Sequence, residues 1–292
     1  MLIILVGIML VVGTGFNGSF ANADPLWTGG AAGLLAVVIA TPFMFVGFDV
    51  IPQAAEELNI KQKTIGKVLI VSVIVAVMFY IGVIYAVGFG LDQAAKETAE
   101  LTTAAAMASV FGSEIFGTVL VIGGIGGIMT SWNAFIIGGS RVLFAMAKAN
   151  MLPSWFGKIH SKYQTPSNAI LFIGILSTIS PFFGAPMLGW LVDAGGLTIV
   201  IAYFMVTVSF ILLRKKEPDM PRPFRAGKSN TIAWIAFCLS IFFIIQYLPG
   251  MPAGLGWHEW IILLGWWVIG FYFMFSRYRK YKDISYKELD AA

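Results

Sequence analysis

The sequence predicts an all-α integral membrane protein of about eight transmembrane helices, and three observations carry that prediction. The first is composition. Of 292 residues, 58% are hydrophobic and only 12% are charged, and the mean hydropathy is +0.84, well outside the range of soluble domains. The second is spacing. Crossing the hydrocarbon takes roughly 20 apolar residues, and nearly uncharged runs of about that length recur at 1–16, 29–48, 67–91, 113–140, 167–185, 188–213, 230–249 and 257–276. The third is the one-sided placement of positive charge. Of the 19 lysines and arginines, 18 follow the second, fourth, sixth and eighth runs, and Lys96 alone lies on the other side. Short basic loops stay cytoplasmic, so both termini are expected inside a cell membrane. The net charge of +4 reflects this asymmetry and an attraction to anionic lipid, and nucleic acid is not an expected partner.

The first run opens at Met1 as LIILVGIMLVVG, without the basic start and small-residue cleavage site of a secretory signal, and reads as a true span. It is short and has no cytoplasmic lead, as though the chain were the later part of something longer. The second run continues into TPFMFVGFDVIPQAAEE, Thr41 to Glu57, a membrane segment built to interrupt its own helix. Pro42 and Pro52 lack a backbone donor, and Gly47 lowers the cost of a non-helical backbone between them. Lipid cannot satisfy backbone groups freed in this way, and broken backbone at membrane depth is tolerated only where protein or a water-filled cavity covers it. This segment is therefore the candidate solute site.

Asp49 adjoins the interruption, and an ionisable group at that depth is costly enough to suggest function. Its structural alternative is to cap the half-helix that precedes Pro52. Glu56 and Glu57, near Lys61 and Lys63, read either as a gate or as a surface ion pair. In the fourth run, Gly123, Gly124, Gly126 and Gly127 are expected to let helices approach closely. Thr130, Ser131 and Asn133 follow them and form a polar group that could ligate an ion or substrate, or bond one helix to another. Asp193 lies a few residues into the sixth run and is placed at the interface. Cys238 in the seventh permits no intramolecular disulfide and reads as a small packing residue.

Between the spans, residues 92–110 are rich in helix formers and predict a surface helix. Residues 149–166, with Trp155, Phe156, Lys158 and Lys162, predict a short interfacial helix. The three prolines of EPDMPRPFR, Glu217 to Arg225, predict an extended loop. The basic stretch from Arg277 to Lys287 reads as a solvated cytoplasmic tail. His160 and His258 fall in loops, and no metal-ligand, nucleophile or phosphate-binding pattern occurs, so neither an enzyme nor a cofactor is expected.

Several of these segments, taken in order, resemble the amino acid permeases of the amino acid-polyamine-organocation (APC) superfamily. FMFVGFDVIPQAAEEL with KQKTIGKVL resembles that family's sixth helix and its basic exit. SRVLFAMAKANMLPSWFGKIHSKYQTPSNAI resembles the eighth helix, loop and ninth helix; WLVDAGGLTIVIAY resembles the tenth, and EPDMPRPFR the loop before the eleventh. The resemblance implies a single permease domain over 1–292, part of a five-plus-five inverted-repeat fold with two added helices. Residues 1–16 stand for its fifth helix, 29–213 for the sixth to tenth, 230–276 for the eleventh and twelfth, and 277–292 for the tail. Helices corresponding to the first four are missing, and with them half of the family's substrate site, so a chain supplying them is an expected partner beside lipid and an amino acid.

The resemblance further implies secondary active amino acid transport by alternating access. Phe43 matches the aromatic position that closes over substrate, and Phe45, Val46, Gly47 and Phe48 match the unwound segment, whose carbonyls near Val46 and Gly47 would take the substrate ammonium. Asp49 matches an acidic position used by some relatives. The lysine that some proton-coupled members carry in the fifth helix has no counterpart in 1–16, which leaves proton, sodium and exchange mechanisms open. The alternative is a nontransporting fragment or accessory subunit that packs against a partner chain.

Overall fold

The computed structural model describes residues 2–24, 29–55, 59–184, 186–227 and 229–281. Among them the regular structure is helical throughout: α1 (Leu2–Asn17), α2 (Gly30–Met44), α3 (Val50–Gln53), α4 (Gln62–Gly90), α5 (Gln93–Thr98), α6 (Thr102–Phe111), α7 (Glu114–Lys148), α8 (Ser167–Ile179), α9 (Pro186–Lys216), α10 (Thr231–Gln246) and α11 (Trp257–Tyr281). Every apolar run of the sequence has become a helix, because in hydrocarbon a segment's own backbone is the only steady partner for its N–H and C=O groups. Four described helices, α4, α7, α9 and α11, are long and apolar enough to cross a membrane, and the other apolar helices are shorter. At 1.5 Å per residue, the 29 residues of α4 extend about 44 Å, against a hydrocarbon core of about 30 Å. Its large side chains, among them Ile70, Ile74, Met78 and Ile81, are exposed. An apolar surface of that extent suits lipid and would be an aggregation hazard in water.

The described residues form two compact units. In the first, residues 1–33 and 67–134, Val6 and Leu10 of α1 are buried against Ala106 and Met107 of α6. The stretch 92–110 is therefore not one surface helix. It splits into α5, capped by the Asp92 carboxylate accepting from Ala95 N at 2.7 Å, and α6, whose apolar face is core. Lys96 donates to the Asn22 carbonyl at 2.6 Å.

In the second unit, residues 34–66 and 135–292, Ala194, Leu197 and Val200 of α9 pack with Ile39 of α2, with Tyr247 and Leu255, and with Leu263 of α11. Cys238 lies exposed on α10 rather than in the packing, and Asp193 is exposed on α9. The predicted interfacial helix over 149–166 is instead a run of turns. Asn150 and Gln164 take positive φ, and His160 N bonds to Thr165 O at 2.9 Å. Asn150 in the left-handed region and Pro153, which disfavours helical backbone at the residue before it, oppose a continuous helix there, and Leu152 and Phe156 pack into a small core with Ala147 and Ala169. The loop over 217–225 is bent and stitched by Arg222, which donates to the carbonyls of Leu213, Glu217, Pro218 and Met220. Leu213 lies in the last turn of α9 and Glu217 directly follows it, where orphan acceptors and the negative end of the dipole favour a cation. The buried serine hydroxyls bond within their own helices, Ser140 to Ile137 O at 2.9 Å and Ser240 to Ala236 O at 2.7 Å, which removes the cost of an unpaired group in an apolar interior.

Candidate functional site

The interruption predicted in the second span falls between α2 and α3. Pro42 is not where the helix stops, since α2 continues through it to Met44. Pro52 sits in the first turn of α3, where a missing N–H leaves no helical bond unmade. The break itself is the turn over 45–49. Gly47 has φ +120°, a backbone state that side chains other than glycine's rarely adopt.

Four amides at the turn find local acceptors. Val46 N bonds to Phe43 O at 3.2 Å, Val50 N to Gly47 O at 3.2 Å and Ile51 N to Phe48 O at 3.3 Å. The Gly47 amide donates to Asp49 Oδ1 at 3.0 Å, and Gln53 Nε2 donates to Asp49 Oδ2 at 3.2 Å. The Asp49 carboxylate thus turns back onto the break, and it makes no side-chain cap to α3. No cation among the described residues pairs with it. Among the described residues no donor reaches the Val46 carbonyl. The Gly47 carbonyl, which the sequence also put forward as an open acceptor, is occupied by the turn bond from Val50.

Phe43, Phe45, Val46, Gly47, Phe48 and Asp49 are all half-buried. The break is held from two sides within its unit. Phe135 of α7 lies 3.8 Å from where a Cβ on Gly47 would stand, and Phe43 lies 3.6 Å from the corresponding point on Gly195 of α9. Phe48 meets Tyr203 of α9 with ring centroids 5.9 Å apart, and the Tyr203 hydroxyl is buried without a hydrogen-bond partner. Thr130, Ser131 and Asn133 lie on an exposed face of α7, and the Thr130 hydroxyl bonds to its own helix at Gly127 O, 2.8 Å away. Glu56 and Glu57 lie outside the described residues.

Three residues beside the break are not singled out by the sequence alone. Gln53 was legible in principle, four residues after Asp49 and so on the same helical face. Tyr203 stands in an apolar run that gives it no mark, and Gly138 is one of many glycines; only folding brings either to the break.

Residues 1–274 match the family profile described as Amino acid permease. The chain belongs to that family. It is 29% identical over 259 residues to the branched-chain amino acid permease BcaP of Bacillus subtilis, covering 88% of this chain and 53% of that one. It is 27% identical over 280 residues to the methylthioribose transporter of the same organism, covering 95% and 58%. A third relative, the aromatic amino acid transport protein AroP of Corynebacterium glutamicum, is 26% identical over 231 residues, 73% of this chain and 49% of that one. The chain spans about half the length of the curated relatives it matches. With its apolar helices, membership of this family makes it a multi-pass membrane protein rather than an enzyme.

Proposed function

We propose that this chain carries the sixth-helix half of the substrate site of a secondary active amino acid transporter that works by alternating access. The observation that carries the reading is the broken helix. Among the described residues, it presents at Val46 a carbonyl with no donor, beside a carboxylate with no cation. An acceptor left unpaired in an apolar interior costs free energy until a donor arrives, and a substrate ammonium is such a donor. Phe43, Phe45 and Phe48 would exclude water around it, and Asp49 would set the local charge. The relatives' names include branched-chain and aromatic amino acids, which fits an aromatic-lined site. Thr130, Ser131 and Asn133 are candidate ion or substrate ligands, Glu56 and Glu57 a candidate gate, and the coupling ion is a proton or sodium.

The test is amino acid uptake into proteoliposomes by the purified chain, alone and with a co-expressed polypeptide supplying the four preceding spans of the fold. Saturable uptake in either preparation supports transport, and dependence on the added spans identifies them as the partner. Well-dispersed protein that takes up and binds no amino acid in both preparations points instead to a nontransporting subunit. For the orientation we propose, with both termini in the cytoplasm, Asn150→Cys and Thr103→Cys are placed singly in a Cys238→Ser background. An impermeant thiol reagent applied to sealed cells should label only the second; labelling of the first would reverse the topology.

A further inference from the structure

The Asp49 carboxylate could hold the Gly47 amide only if it were itself held, since a free carboxylate rotates about χ2 with little cost. Its second oxygen accepts from Gln53 Nε2 at 3.2 Å, while the first accepts from the Gly47 amide at 3.0 Å. Gln53 is in turn confined on its other side. A Cβ built on Gly138 of α7 would stand 2.5 Å from Gln53 Oε1 and 3.0 Å from Val50 Cγ2. Gly138 is buried, so the first turn of α3 lies directly on the bare backbone of α7 at that point. A side chain there would have to displace something, and the end of a glutamine moves more easily than the backbone of either helix.

We propose that Gln53 is the positioning residue of the candidate site: seated on Gly138, it clamps the Asp49 carboxylate against the Gly47 amide and so keeps the turn over 45–49 open with the Val46 carbonyl free. The inference rests on the transport reading for its purpose, but the clamp is a property of the fold and can be measured without transport. Gln53 touches no substrate in this scheme and acts through Asp49. The titratable groups on the elements packed around the turn include Tyr203 of α9, which meets Phe48, Asp193 of α9, two residues before the Gly195 that Phe43 approaches, and Arg141 of α7, whose guanidinium donates to Ile137 O at 3.1 Å.

Backbone hydrogen exchange over 45–49, read by mass spectrometry on the purified chain, tests the clamp directly. Gln53→Leu removes the donor to Asp49 and should speed exchange of this segment about tenfold, the equivalent of one lost hydrogen bond to a charged group. Gly138→Ala should do the same from the neighbouring helix by pushing the glutamine aside. Because both act on one contact, the double variant should exchange no faster than the faster single one. Gln53→Glu gives a signature that a mere packing role lacks. Two ionised carboxylates at this separation repel each other, so protection should fall below that of the wild type as the pH rises and the pair loses its second proton, and it should return in acid, where the protonated glutamic acid donates as glutamine does. In the preparation that transports, the uptake of Gln53→Glu should shift toward acid in parallel.

Unchanged exchange in Gln53→Leu, additive effects in the double variant, or a Gln53→Glu profile that tracks the wild type at every pH would each overturn the clamp. The clamp and the transport reading fail separately. A clamp that behaves as described in a chain that never takes up or binds an amino acid would leave the inference standing and remove the transport reading. Wild-type uptake with exchange indifferent to Gln53 would do the reverse.

Discussion

Two segments of this chain meet the membrane with glycine in their sequence, and only one of them breaks. α7 carries seven glycines between Glu114 and Lys148 and runs without interruption for 35 residues. The segment from α2 to α3 breaks at a single glycine, Gly47. Glycine count therefore does not make a break. Each glycine weakens a helix by about 1 kcal/mol relative to alanine, whereas each backbone group left unpaired in hydrocarbon costs several, so α7 stays helical despite its composition. The second segment differs in offering its donors somewhere else to go. Its Asp49 side chain takes the Gly47 amide, and short turn bonds take Val46, Val50 and Ile51. A glycine permits the turn, and a side-chain acceptor two residues later offsets its cost.

The change with the largest expected effect attacks the conformation itself. Gly47→Leu places a branched side chain at φ +120°, with Phe135 already 3.8 Å from its first carbon. Backbone strain of roughly 1–3 kcal/mol then opposes the turn, and a continuous helix becomes its competitor. Substrate binding and uptake should fall by at least about tenfold, since about 1.4 kcal/mol is a factor of ten. Uptake at the wild-type rate by a Gly47→Leu protein would sink the broken-helix site.

A smaller effect is expected at Pro42. This proline lies inside α2, three residues short of the break, and the bond it denies is the one to Val38, not any bond of the turn. Pro42→Ala should restore that bond and leave the turn over 45–49 in place, with uptake within about threefold of the wild type, a change of well under 1 kcal/mol. A loss as deep as that of Gly47→Leu would show that the proline compels the break, and the comparison between α2 and α7 would then turn on proline rather than on Asp49.

How much of this was legible in the sequence follows from the same physics. Hydropathy reports whether a segment can leave water, so the eight helical runs and the class of the protein were readable, and the interruption at Gly47 was readable because glycine, proline and aspartate act locally. What was not readable depends on which faces meet. In the turns over 149–166, Leu152 and Phe156 share a core with Ala147 and Ala169, a long-range contact that local propensity does not record. Gln53 and Gly138 are far apart in sequence and touch only once α7 lies on α3. Tyr203 reaches the break by the same route, with an unpaired hydroxyl that no run of neighbours announces. The role of Asp49 was half legible: its place beside the break is a matter of sequence, but its choice of the Gly47 amide over a cap on α3 is a matter of geometry.

The smallest expected effect lies on the unbroken helix and sharpens the contrast most finely. Gly123, Gly124, Gly126 and Gly127 were expected to mark close helix packing, and the structure puts close approaches elsewhere on α7. Gly117 and Gly138 do lie against other chain segments, a Cβ on Gly117 standing 2.9 Å from Ala104 O. At Gly124 and Gly126, by contrast, an added Cβ meets nothing within 4 Å. Gly124→Ala should therefore gain the helix propensity of alanine, up to roughly 1 kcal/mol, with no clash to offset it. The purified chain should melt slightly higher in detergent, with unchanged size distribution and unchanged exchange over 45–49, whereas Gly138→Ala on the same helix should disturb that segment. The pair isolates space from conformation, because both glycines are helical and differ only in what stands opposite. A Gly124→Ala chain that melts lower, or that loses uptake in the preparation containing the added spans, would show that another polypeptide packs on this face, and the glycines there would have the close-approach role that the sequence first suggested.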